Sequence, residues 1–232
     1  MFYKKTLYTL ALILFLGISG GLWAGDTATF VDLGFSPDGR TYMFAQYGVQ
    51  SRTLRPWADL FVVDVALNNF VTGGRISYVH NTSVVSGNDG SGALYHLIAR
   101  NAALAERHGV NFFQQGQPLY LALDNTPSAR QIEFRDFESG TSYQASLVSN
   151  IEGSCANLRS SFFINLERTA RDGTRRSYTV GTPQIRRPLI ASYHIWKVLI
   201  SPRDGSMIFV IEMNRQEGGE NLVRYMIEAV RL

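Results

Sequence analysis

Four histidines, one cysteine and a scatter of carboxylates are the residues of this chain with acid, base or metal chemistry to offer. A metal site needs ligands at a spacing that brings them to one point, such as His-x-His or His-Glu-x-x-His. His80, His96, His108 and His194 show neither spacing, and Cys155 has no second cysteine to join it, so no metal is expected. A serine nucleophile of the hydrolase type would sit in Gly-x-Ser-x-Gly, which is absent. Carboxylate pairs such as Asp59/Asp64 or Asp136/Glu138 could approach each other in a fold, yet spacing alone does not establish the ~5–9 Å geometry of glycoside hydrolysis. They read as solvated strand or turn residues. Asn88 and Asp89 lack the alternating acidic series of a calcium loop. No cofactor is implied.

Cationic chemistry is more concentrated. Arg159, Arg168, Arg171, Arg175, Arg176, Arg186 and Arg187 fall within one hairpin and its exit, offset by Glu167 and Asp172. Guanidinium forks bind carboxylate or phosphate in a fixed geometry. Such a cluster therefore reads either as a docking patch for an anionic envelope component or protein partner, or as a solvated hairpin whose charges discourage strand pairing at its edge. The single cysteine, in "GSCAN", has no basic neighbour before Arg159 to lower its pKa. It is expected to be buried and inert.

The compartment is written at the N-terminus. Lys4 and Lys5 precede an apolar run from Leu7 to Leu22 and then "LWAGD", which reads as a secretory signal peptide over 1–24 with cleavage after Ala24. An uncleaved anchor is the alternative, since the run is a little short of the ~20 residues a spanning helix needs. No later segment is apolar enough to span a bilayer, so 25–232 is expected to form a single β-rich exported domain. Loss of Lys4 and Lys5 reduces the formal charge of +3 to about +1. With export, that near-neutral balance argues against nucleic acid as a partner.

The elements follow from patterning. "FVDLGFSPDGRTYMFAQYGV" over 30–49 is two aromatic, β-branched runs around Pro37-Asp38-Gly39, a β-hairpin with its turn. "WKVLISPRDGSMIFVIEM" at 196–213 repeats the device, followed by a polar loop "NRQEGGEN" and a last strand. "ADLFVVDV" and the segment after Asn68-Asn69 add strands to the first hairpin. "PLYLALD", "RQIEFRDF", "TSYQASLVS", "SSFFINLERT" and "RRSYTVG" read as further strands. Apolar spacing from Leu94 to Ala105, ended by Arg107-His108-Gly109, predicts one α-helix near 92–108, with Asp89 or Ser91 as N-cap. The glycine-rich loop before it lacks the phosphate-binding Gly-Lys-Ser/Thr ending.

The order strand, Ser-Pro-Asp-Gly, strand at 30–73, repeated at 194–232 with Arg203 inserted in the turn, resembles a blade of the TolB-like β-propellers. That resemblance implies a mainly β fold of antiparallel four-stranded blade-like sheets, with repeated hairpins at both ends meeting to close a ring. A two-sheet β-sandwich is the alternative, because the middle of the chain has no further Ser-Pro-Asp-Gly. Over its whole length, with "LGFSPDGRTYMFAQYGVQ" the most specific part, the chain resembles a bacterial family of predicted secreted proteins, domain of unknown function 2259. This implies export and a shared fold, and transfers no catalytic residue.

Two functional readings result. One is a non-catalytic binding or interaction module of the cell envelope, periplasmic or secreted, using Arg168, Arg171, Arg175, Arg176, Arg186 and Arg187. The other is an envelope hydrolase whose acid/base pair is assembled across distant strands; a structural surface protein is a third.

Overall fold

A computed structural model of the protein describes residues 26–85, 87–123 and 130–232. The expected signal peptide lies outside the described residues. In chain order the elements are β1 (Thr29–Phe35), β2 (Thr41–Val49), β3 (Pro56–Asp64), β4 (Asn69–Val79), α1 (Ser91–Arg100), α2 (Ala102–Arg107) and β5 (Gln117–Leu121). There follow β6 (Gln131–Asp136), β7 (Thr141–Glu152), β8 (Arg159–Thr169), β9 (Arg175–Val180), β10 (Arg187–Pro188), β11 (Ile190–Ile200), β12 (Met207–Glu217) and β13 (Glu220–Val230). The protein is mainly β and its sheets are antiparallel. Among the described residues no helix is long and apolar enough to cross a membrane.

Three sheets form. Sheet I is the meander β1-β2-β3-β4, and sheet II has the order β13-β12-β11-β5. Sheet III has the order β10-β8-β7-β6, with β9 beside the Ile164–Thr169 half of β8. Side-chain alternation decides how they stack. In β12 the odd residues Phe209 and Ile211 pack against Phe134, Tyr143 and Phe162 of sheet III, while the even residues Ile208 and Val210 pack against Phe35, Tyr42 and Phe44 of sheet I. Sheet II is thus buried on both faces, which is why its central strands read as unbroken apolar runs. Sheet I is covered on its other side by Ala93, Leu94 and Leu97 of α1 against Met43, Leu60 and Val62. Among the described residues sheet III has no such cover, and β6 alternates exposed Gln131, Glu133 and Arg135 with buried Ile132, Phe134 and Asp136. The layers run helices, I, II, III. Among the described residues they stack, as in the sandwich alternative with one layer added, and do not close a ring.

The two repeated hairpins nevertheless meet. In the first turn the Ser36 hydroxyl donates to Asp38 (2.6 Å) and accepts from the Thr41 amide (2.9 Å). In the second, Asp204 accepts from the Ser206 amide (3.1 Å) and hydroxyl (2.7 Å). Gly39, at φ +73°, lies against the second turn so closely that a Cβ there would stand 2.8 Å from Asp204 Oδ1. Only glycine satisfies both the backbone and the contact.

Three local expectations change. The helix near 92–108 is two helices parted at Asn101, whose side-chain amide donates to the Leu97 carbonyl (2.8 Å) and competes with the helical ladder. The N-cap position of α1 is held by Gly90, with no side-chain cap; Asp89 instead accepts from the Ser91 amide and hydroxyl. The expected polar loop "NRQEGGEN" is absorbed into β12 and β13, because Gly218 and Gly219 both take positive φ and allow a two-residue hairpin turn.

All three sheets are joined at one point. The Glu228 carboxylate on β13, 4% exposed, accepts from Asn68 of the β3–β4 turn and from Arg187 of β10 (3.2 Å). Arg187 also lies over the Phe162 ring, 4.9 Å from its centroid. The Asn68 carbonyl accepts the Ala229 amide (2.7 Å), and the Gln46 carbonyl accepts that of Tyr225 (2.8 Å), so side chains from sheet I satisfy the free edge of β13. At the other end of that edge the Val223 amide donates to the Asp26 carbonyl (3.0 Å).

Asn68→Ala, which leaves the Ala229 amide and one face of Glu228 unpaired, should destabilise the fold by about 1–3 kcal/mol in denaturant titration. Burial raises the Glu228 carboxyl above its ordinary 4.5, with Asn68 and Arg187 opposing. The folded state then holds this proton more tightly than the unfolded chain, so the group's contribution to stability falls as pH rises from 4.5 through the folded value. The wild-type denaturation midpoint, measured relative to Glu228→Gln, should therefore decline from acid to neutral pH. A difference flat with pH would show the carboxyl to be unperturbed.

Candidate functional site

The arginines named from sequence separate into two groups at opposite ends of β8. Arg168 is nine residues along the strand from Arg159, about 30 Å. At the first end the cations are engaged within the fold. Arg159 donates to the Leu158 carbonyl (2.9 Å), Arg186 pairs with Glu152 (2.9 Å), and Arg187 is the partner of Glu228. At the second end Arg168, Arg171, Arg175 and Arg176 come together, and none of the four forms an ion pair among the described residues. Arg168 stands opposite Arg176 on the core side of sheet III, beside Tyr143. Arg175 stands opposite Thr169 on the outer side. Arg171, in the β8–β9 turn, lies over Gly140 of the β6–β7 turn.

Pairing register extends this end into a surface that the sequence reading missed. Arg135, Ser142, Thr169 and Arg175 are directly opposite one another across β6, β7, β8 and β9, and form one row on the outer face. The next row is Glu133, Gln144, Glu167 and Ser177. The Gln144 amide donates to Glu133 (3.0 Å). Both rows, except Ser177, line an open cleft of about 670 Å³ that also touches Leu119 and Tyr120 of β5 and Phe134 and Tyr143, and whose rim carries Phe137, 87% exposed, with the Arg135 guanidinium 6.0 Å from its ring centroid. The signal available in the sequence was the strict alternation of β6, which puts Glu133 and Arg135 on the face away from Phe134. What joins them to Glu167 and Arg175 is register, which local spacing does not reveal.

A second cleft, of about 600 Å³, lies between the end of β2, residues 84–85 and 87–90, and the β12–β13 turn. Of its charges, Asp26, Arg52 and Glu220 are compensated by ion pairs. Arg52 donates to Glu220 (2.6 Å), as does the Ser51 hydroxyl (2.9 Å); these bonds hold the Glu220 carboxyl below its ordinary value. Asp26 pairs with Arg224 (2.7 Å), whose guanidinium lies 4.0 Å from the Trp57 ring centroid. Burial raises the Asp26 carboxyl, against the pull of Arg224. These groups hold the chain ends together.

The carboxylate pairs named from sequence have structural partners. Asp59 accepts from Gln46 (3.0 Å), and Asp64 from the Leu67 amide (2.9 Å). Asp136 accepts from Ser139 Oγ and the Glu138 amide, chiefly the former lowering its pKa. His194 stands 3.7 Å from Glu212, apart from the other histidines. No group of three His, Cys, Asp or Glu among the described residues is placed to hold a metal ion.

Fold and site together define a mainly β protein of stacked antiparallel sheets, with one polar face that among the described residues is uncovered and carries Arg135 and Arg175 without ion pairs. Residues 43–231 match the family described as Predicted secreted protein (DUF2259), and the chain belongs to that family. The protein is exported, as the family description has it. No curated protein and no solved structure matches the chain.

Cys155 departs from the expectation of burial. It is exposed, at φ +51°, where the chain turns between β7 and β8 in a single 3-10 turn. One thiol per chain should therefore react with an aromatic disulfide reagent in the native protein, at a rate that denaturant leaves nearly unchanged. Protection until unfolding would show the turn to be closed over it.

Proposed function

We propose that this protein is a non-catalytic binding module of the cell envelope, released by cleavage of the signal peptide after Ala24. It engages anionic groups of an envelope component through the arginines at the β6–β7 and β8–β9 end of sheet III. The observation that carries this reading is the contrast between the two ends of β8. Arg186 and Arg187 are bound to Glu152 and Glu228, while Arg168, Arg171, Arg175 and Arg176 keep their forks free of carboxylate partners among the described residues. A planar guanidinium with open donors is suited to phosphate or carboxylate on another molecule. Asp172 is close by, but its carboxylate accepts the Thr174 amide (2.9 Å) and shapes the turn. The uncovered outer face gives a partner room to approach without disturbing any core.

The mature chain and an Arg171/Arg175/Arg176→Ser variant, each immobilised, should differ in what they retain from envelope extract at low salt. Wild type is expected to hold a component that the variant loses, with retention falling as salt screens the contacts. Equal recovery by both proteins would reduce these arginines to ordinary surface.

A further inference from the structure

The cleft on the outer face of sheet III has two rows of opposite character. Resting on the docking reading above, we infer that its ligand is a zwitterion: a primary ammonium joined by a short spacer to a phosphate or carboxylate, the chemistry of a phosphoethanolamine headgroup. Arg135 and Arg175 flank the hydroxyl residues Ser142 and Thr169 in the first row, so two guanidiniums and two hydroxyls face one strip of the cleft. All four are donors toward an anionic group.

The second row begins two residues along each strand, about 7 Å away. There Glu133 and Glu167 stand on either side of Gln144, and all three line the same cleft. Gln144 donates its amide to Glu133, which leaves its own carbonyl oxygen as a further acceptor. These are acceptors for an ammonium. A ligand carrying anionic charge alone would meet the repulsion of two carboxylates about one side-chain length from the phosphate strip. An amine alone would meet the two guanidiniums. Only a molecule with both groups satisfies both rows, and the spacing between rows sets a short separation between them. Phe137 at the rim offers an apolar surface for whatever carries the headgroup.

Titration of the mature protein with O-phosphoethanolamine and with ethyl phosphate, which lacks the amine, tests this directly. Wild type should bind the zwitterion about fivefold more tightly, the scale of one solvent-exposed ion pair. Glu133→Gln with Glu167→Gln should bring the two affinities together. Arg135→Gln with Arg175→Gln should weaken both ligands. All four positions are solvent-facing, so circular dichroism should show the variants folded. Retention on phosphatidylethanolamine vesicles, lost in Phe137→Ser, would identify the source as lipid; binding of the free compound without vesicle retention would identify a soluble ligand. Equal wild-type affinity for the two compounds would overturn the zwitterion while leaving anion docking in place. Arginine variants that bind as tightly as wild type would overturn both, and binding of neither compound would overturn the zwitterion.

Discussion

The stack depends on a buried carboxylate that none of its sheets satisfies alone. Glu228 belongs to sheet II, its amide partner Asn68 to a turn of sheet I, and its cationic partner Arg187 to sheet III. Packing between β-sheets is largely non-directional, so two apolar faces can slide over each other at modest cost. A charge that must be met from both sides does not permit such sliding, because displacement would leave it buried and unpaired at a cost of about 3–5 kcal/mol. The apolar layers supply cohesion, and this junction supplies their relative position. The same logic holds at the other end of β13, where Arg224 closes on Asp26 and the Trp57 ring.

Sheet II buries both faces and so has no surface to lend to recognition. Sheet I is half covered by α1 and α2. Among the described residues sheet III presents a broad outer face, and there the side chains are mostly Ser, Thr, Asn, Gln, Glu and Arg in alternation with the core, with Val148 and Phe163 side by side among them. The division of labour between stability and recognition is therefore a division between layers. It explains why the unpaired cations and the exposed Phe137 occur together at the end of the third sheet.

Much of the fold was legible because local patterning is strong. The Ser-Pro-Asp-Gly turns, the alternation of β6 and β7, and the apolar spacing of the helices each follow from a period and a turn chemistry that a short window contains. Stacking in place of a ring was not legible, since a four-stranded meander is the same unit in either arrangement and only the faces it buries tell them apart. The site was half legible. Composition drew attention to the arginines around 171, but it grouped them with Arg186 and Arg187, which the chain carries about 30 Å away along β8. Glu133, Arg135 and Phe137 went unnoticed because nothing in their own segment distinguishes them from an ordinary exposed strand. Cys155 was misplaced because weak local basicity was taken for burial, when a positive-φ turn put it outside.

The pairing of Asp26 with Arg224 spans 198 residues. A chain made from its N-terminus presents Asp26, Gln46 and Asn68 long before the strand whose edge they cover exists. Sheet I can form its own hairpins early, but its aromatic face and these polar arms must wait for the last residues to arrive. Contacts of such sequence separation form late and slowly. Completion of the fold is thus timed to the arrival of the last strand, and until then the apolar face destined for sheet II has no layer to pack against.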